Sequence, residues 1–104
     1  MIKVSVMYPN GPGVRFDHAY YCDKHMPMVK ARMGNHCKFY TVDKGVAGGA
    51  PGVAAPYVGM GHLHCESIDA FHAGFDPHAK EIMGDIPNYT NSQPVILFSE
   101  VLVG

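Results

Sequence analysis

The sequence predicts an α+β domain in which a four-stranded antiparallel sheet carries two helices on one face. Three observations lead there. Four segments read as strands, and two others repeat apolar residues at helical spacing. Their order is strand, helix, strand, strand, helix, strand, the split β-α-β pattern. The 104 residues, 47% hydrophobic and 16% charged, suffice for one compact domain spanning 1–104 and no second.

Residues 2–8 set Ile2, Val4, Val6 and Tyr8 against Lys3, Ser5 and Met7, a strand of period two. The turn-rich run Pro9-Asn10-Gly11-Pro12-Gly13 ends it. Asp17 suits the N-cap of a helix from His18, because its carboxylate can accept an orphan amide of the first turn. Cys22, Met26, Val29 and Met33 form that helix's apolar stripe. Pro27 lies among them. It lacks an amide hydrogen and its ring crowds the preceding turn, so a kink or restart is expected there. Gly34-Asn35 is the stop. Residues 38–42 are β-prone and make the second strand. Residues 45–56, all Gly, Ala, Val and Pro, form a loop long enough to be a lid or interface. In the third strand, 57–65, Tyr57, Gly59, Gly61, Leu63 and Cys65 face one way, and Val58, Met60, His62 and His64 the other. Ser67 caps a second helix with the stripe Ile68, Phe71, Phe75, Ala79 and Ile82, interrupted at Asp76-Pro77 and ended by Gly84 and Pro87. Residues 88–93 are a polar connection, and 95–103 the last strand.

Composition excludes several classes. Eight Lys and Arg against nine Asp and Glu give a net charge of −1, without the basic surplus of a nucleic-acid binder. No apolar run reaches the roughly 20 residues that span a bilayer. The first residues alternate and carry no signal-peptide core, so a cytoplasmic location is expected. Cys22, Cys37 and Cys65 form no CxxC pair, which suggests free thiols in a reducing compartment. No P-loop, GxGxxG or GxSxG motif is present, and no cofactor or metal is expected.

Right-handed crossovers place both helices on one face of the sheet and leave the other bare. The last strand is apolar on both sides, so the bare face reads as a sticky patch. A second copy packed sheet to sheet would cover it, which predicts a homodimer with a space between the sheets. Met60, His62 and His64 then point into that space. Two histidines at i, i+2 could share a metal, but no third ligand is evident. Hydrogen-bonded interface histidines are the plain alternative to a catalytic or polarising role. His25 lies two residues before Pro27 with Tyr21 one turn earlier. They read either as a general base with a hydrogen-bond donor or as a capping histidine at a helix break.

At this point a family resemblance emerges. The run Tyr20-Tyr21 with His25-Met26-Pro27-Met28-Val29 resembles the EthD family, named for a protein tied to ethyl tert-butyl ether breakdown. So do the Gly45–Pro56 loop, the Gly61-His62-Leu63 strand, Pro77-His78-Ala79, Asp85-Ile86-Pro87-Asn88-Tyr89-Thr90 and Gln93-Pro94-Val95-Ile96. The likeness runs over essentially the whole chain. It implies a ferredoxin-like dimeric α+β barrel, in a superfamily that includes cofactor-independent monooxygenases, cyclases, isomerases and haem-degrading enzymes; some EthD members are labelled reductases. His25 and His62 match the family's His-Met-Pro and Gly-His-Leu histidines. Tyr21, Tyr57, His78, Asn88 and Tyr89 also fall on family positions, whereas His64 and Cys65 depart from them.

Two functions follow as expectations. In the first, the protein is an enzyme on an apolar or aromatic metabolite, held between the helix-kink residues and the sheet. His25 would move a proton, Tyr21 and His62 would hold or polarise an oxygen, and Tyr57, Met60, His64, Asn88 and Tyr89 would bind substrate. Isomerisation, cyclisation or cofactorless oxygenation would suit it. In the second, the same cavity belongs to a non-catalytic binding or accessory protein for a hydrophobic compound. Haem or metal bound by one of the histidines is a third reading.

Overall fold

Backbone pairing in the computed structural model, which describes residues 1–104, forms one antiparallel sheet from β1 (Ile2–Pro9), β2 (Phe39–Lys44), β3 (Tyr57–Cys65) and β4 (Val95–Glu100), in the order β2-β3-β1-β4. The β1–β3 register sets Val4 opposite Leu63 and Ser5 opposite His62, and β4 sets Leu97 opposite Ser5. Four-stranded antiparallel pairing with helical crossovers on one side is the ferredoxin-like arrangement expected from the element order. β4 ends at Glu100, short of the expected Val103. Its partner β1 begins at Ile2, opposite Glu100, so the last residues have no strand to pair with. No helix is long and apolar enough to cross a membrane.

The first helical crossover is one continuous coil of three kinds. Asp17 caps α1 (His18–Tyr20) by accepting the Tyr20 amide. A π-helical turn follows over Tyr21–His25, then α2 (Met26–Met33), with Pro27 in its first turn. The expected restart falls at Met26, one residue before the proline. The Met26 amide reaches back to the Tyr21 carbonyl, and this wider turn makes room before the proline ring. One extra residue in the turn rotates everything N-terminal to it. The buried stripe is therefore Tyr21, His25, Met26, Val29 and Met33, while Cys22, expected inside, is exposed.

The second crossover is α3 (Ile68–Phe75), a 3-10 turn at Asp76–His78 and α4 (Ala79–Gly84). Ser67 accepts the Ala70 amide as its cap, as expected. Phe71 and Ile82 are buried, and Phe71 meets Phe98 of β4 edge-to-face at 5.3 Å. Gly74 lets the chain around His36 approach α3. A Cβ there would lie 2.5 Å from the His36 Cβ.

The core lies between the helices and the sheet and contains Val4, Tyr8, Leu63 and Cys65 from the strands. Alternation in β3 is as expected: Gly59, Gly61, Leu63 and Cys65 are buried, and the residues between them are only partly buried. The glycines have a purpose. Phe16 lies over Gly59 and the Tyr21 phenol over Gly61, each closer than a Cβ would allow. The opposite face differs from the apolar patch expected of it. Register places Phe39, Thr41 and Asp43 of β2, Met60, His62 and His64 of β3, Lys3, Ser5 and Met7 of β1, and Val95, Leu97 and Ser99 of β4 on it, a mixture of apolar and polar side chains.

Candidate functional site

A cavity lies between the helices and the sheet. Val4, Val6, Leu63 and Ile96 form its floor; Val29, Phe71, Phe75 and Ile82 form its roof. Met83 and Ile96, both half-exposed, mark its mouth at the β4 edge. Apart from His25, the only lining side chains that carry a polar atom capable of hydrogen bonding to a carbonyl are Tyr8 and Tyr21. A ligand here would be apolar over most of its surface and would meet polar groups at one end.

His25 sits at that end, 4% exposed, on the π-helical turn that aims it inward. Its Nδ1 lies 2.9 Å from Asp85 Oδ2. A carboxylate only accepts, so Nδ1 carries the proton and Nε2 is left as the basic nitrogen. Nε2 faces the Tyr89 hydroxyl at 3.3 Å, and Tyr89 in turn hydrogen-bonds Tyr8. The rings of Tyr21 and His25 stack at 5.4 Å. Asp85 is fixed from its other side: Tyr20 Oη donates to its Oδ1 at 2.7 Å and Asn88 Nδ2 at 2.9 Å.

The segment carrying Asp85 and Tyr89 is tied to the first crossover by its backbone. The Asp17 amide donates to the Tyr89 carbonyl at 2.8 Å, and the Thr90 hydroxyl donates to the Arg15 carbonyl at 2.6 Å. Two stretches remote in sequence are thereby clamped around one imidazole.

Burial lowers the His25 pKa, with Asp85 opposing it. Burial works to raise that of Asp85, but the hydrogen bonds from Asn88, His25 and Tyr20 prevail and hold it below the usual carboxylate range. Near pH 7 the pair is thus a neutral imidazole on an ionised carboxylate, a state able to take up a proton at Nε2. Burial raises the phenols of Tyr8, Tyr21 and Tyr89, which stay protonated as donors.

The chain belongs to the EthD family. The EthD domain matches residues 14–93. An EthD-like protein of Ralstonia eutropha is 56% identical, with a TM-score of 0.94 over 98% of this chain and 92% of its own. An ethyl tert-butyl ether degradation (EthD) family protein of Bacillus halodurans is 14% identical, with a TM-score of 0.67 over 98% and 99%. A protein of Arabidopsis thaliana is 10% identical, with a TM-score of 0.70 over 100% and 98%. The last two show a shared fold. No curated protein matches the sequence.

The residues singled out from the sequence of this EthD protein divide between the two faces of the sheet. His25, Tyr21 and Tyr89 come together beneath the helices. His62 does not join them. It stands on the opposite face, with Nδ1 2.8 Å from Ser5 Oγ and Nε2 3.2 Å from Asp43. One pocket holding His25, Tyr21 and His62 is therefore not formed within the chain, because adjacent strand residues Gly61 and His62 point oppositely. His64 shares the His62 face and stacks on Phe39 at 4.1 Å. Met60 lies on that face as well, and the side chains there do not form a group of three that could hold a metal ion. Tyr57, half-buried at the start of β3, does not line the cavity. Asn88 meets Asp85 from outside instead of facing the cavity.

Sequence reasoning assigned no role to Asp85, Tyr8 or Tyr20. Asp85 stood only as the first residue of the family run Asp85-Ile86-Pro87-Asn88-Tyr89-Thr90, 60 positions from the histidine it orients.

Proposed function

We propose that this EthD protein is a cofactor-independent proton-transfer enzyme for a small apolar or aromatic metabolite. One observation carries the reading: a buried, neutral His25, oriented by Asp85, stands at the polar end of an otherwise apolar cavity. Nε2 takes a proton from the substrate, and the Tyr21 phenol donates to the oxygen on which negative charge develops. Isomerisation or cyclisation needs no more than this, and oxygenation of the deprotonated substrate is a close variant. The cytoplasm is its expected location.

The protein is further read as a homodimer. Phe39, Val95 and Leu97 are each about half-exposed on the open face, which supports a second copy covering it. His62 and His64 would then serve that interface. Sedimentation at micromolar concentration should give the dimer mass; a monomer would refute the pairing.

The alternative is a binding or accessory protein. Its support is the same lining, 13 of whose 15 residues are hydrophobic. To separate the two, native mass spectrometry would identify the compound that co-purifies, and that compound would be incubated with protein in D2O. An enzyme should change its structure or introduce deuterium, and His25→Ala should retain the compound without either change. A compound recovered unaltered from the wild-type protein would favour the binding reading.

A further inference from the structure

Asp85 separates two spaces of opposite character. On one side is the apolar cavity, reached by His25. On the other is an open, mostly polar cleft that Tyr20, Lys24, Met28, Glu81, Gly84 and Asn88 line with Asp85. The Asp85 side chain is 18% exposed, whereas that of His25 is 5% exposed. The carboxylate is therefore more open to solvent than the imidazole, and the cleft beside it is lined by other residues than the cavity mouth at Met83 and Ile96. Oδ2 holds the His25 Nδ1 proton, while Oδ1 is held by the cleft-wall donors Tyr20 and Asn88.

We propose that Asp85 is a back door for protons, connecting His25 to solvent through this cleft while substrate uses the mouth at the β4 edge. The inference rests on reading His25 as the proton carrier. When Nε2 takes a substrate proton, the imidazolium passes its Nδ1 proton to Asp85 Oδ2, and the carboxyl passes it to water. His25 is left neutral and protonated at Nε2. In the reverse direction, water protonates Asp85, Asp85 reprotonates Nδ1, and Nε2 gives its proton to the product. Each proton leaving one atom arrives at the next, and no redox partner enters. The charge formed in the site is thereby discharged without opening the apolar cavity.

The other ionisable groups near the path are committed elsewhere. Lys24 lies over the Tyr20 ring at 5.8 Å, Glu81 pairs with Arg32 at 2.9 Å, and the Tyr21 and Tyr89 rings pack against the His25 ring. Asp85 is the one acidic side chain hydrogen-bonded to the imidazole. Its role here is that of a positioning and relay residue, since substrate in the cavity would meet His25 and not the carboxylate.

The test follows the His25 Nδ1 proton itself in the intact protein with 15N-labelled histidine. Its exchange with water is measured by NMR near pH 7. Asn88→Leu covers the carboxylate with an apolar side chain and should slow exchange at least tenfold. Gly84→Leu provides a second cap, at a position where an added Cβ meets nothing within 4 Å. Met83→Trp obstructs the cavity mouth and should leave the rate unchanged. Slowing by the mouth variant alone, or no slowing by either cap, would overturn the back door. A nitrogen spectrum with Nδ1 unprotonated in the wild type would instead overturn the reading of His25 as a base oriented by Asp85.

Discussion

Two clusters, each of a carboxylate, an imidazole and a hydroxyl, stand on opposite faces of one sheet. Under the helices, Asp85, His25 and the Tyr89 hydroxyl form a line; on the open face, Asp43, His62 and the Ser5 hydroxyl form another. Both place a carboxylate and a hydroxyl on the two nitrogens of an imidazole. They differ in what surrounds them. Asp85 is held by Tyr20 and Asn88 besides His25, whereas Asp43 is 57% exposed and meets His62 at 3.2 Å. His25 adjoins an apolar cavity; His62 lies on a face that only another molecule could enclose. The contrast teaches that a triplet of residue types does not make a site. Exclusion of water and a fixed carboxylate do, because both strengthen charge interactions and remove alternative geometries.

Matched substitutions on the two faces put this contrast at risk. The largest difference is expected between hydroxyl bearers. Tyr89→Ala empties a buried ring position and should cost about 3–5 kcal/mol, against about 1 kcal/mol for Ser5→Ala, both read from urea unfolding. Comparable losses would mean the two clusters are equally integrated. Between carboxylates, Asp85→Ala strands a buried imidazole N–H and should cost about 1–3 kcal/mol, while Asp43→Ala should stay within about 0.5 kcal/mol.

Gly61→Ala addresses the helix face directly. Its Cβ would collide with the Tyr21 phenol, so a loss of about 1–2 kcal/mol is expected, with altered tyrosine packing in the near-UV circular dichroism spectrum. Unchanged stability and spectrum would show that Tyr21 is not confined.

The smallest effect is on pH. Burial lowers His25 in the folded state, so below the ordinary 6.5 the unfolded chain binds the proton first. Folding stability should therefore fall as pH drops through the window just below 6.5. His62 is also lowered by burial and adds in the same direction. Asp85, lowered in the fold, should bring a second loss as pH falls below 3.8 toward its folded value. Denaturation midpoints across pH should show the first loss reduced more by His25→Gln than by His62→Gln; the reverse order would reverse the ranking of the two sites.

Much of this was legible in the residues. Asp17 and Ser67 cap helices as their side-chain oxygens predict, and β3 alternates as written, because period two and capping are local properties. The inward stripe of the first helix was misread by one position. Periodicity assumes an α-helical turn, and the π-helical turn before Pro27 exchanges Cys22 for Tyr21 and His25. His62 and His25 lie on opposite sides of the sheet, and nothing in either short motif says on which side the cavity lies.

By itself, the sequence determined the order of elements, the two caps, the alternation of β3 and the family. Each of these depends on neighbours along the chain or on motifs read whole. Only the tertiary structure decided that Asp85 orients His25 and that Tyr8 and Tyr89 extend the line. Those outcomes depend on which residues, 60 and more positions apart, meet across a buried space, and that is set by packing helices onto one face of a twisted sheet.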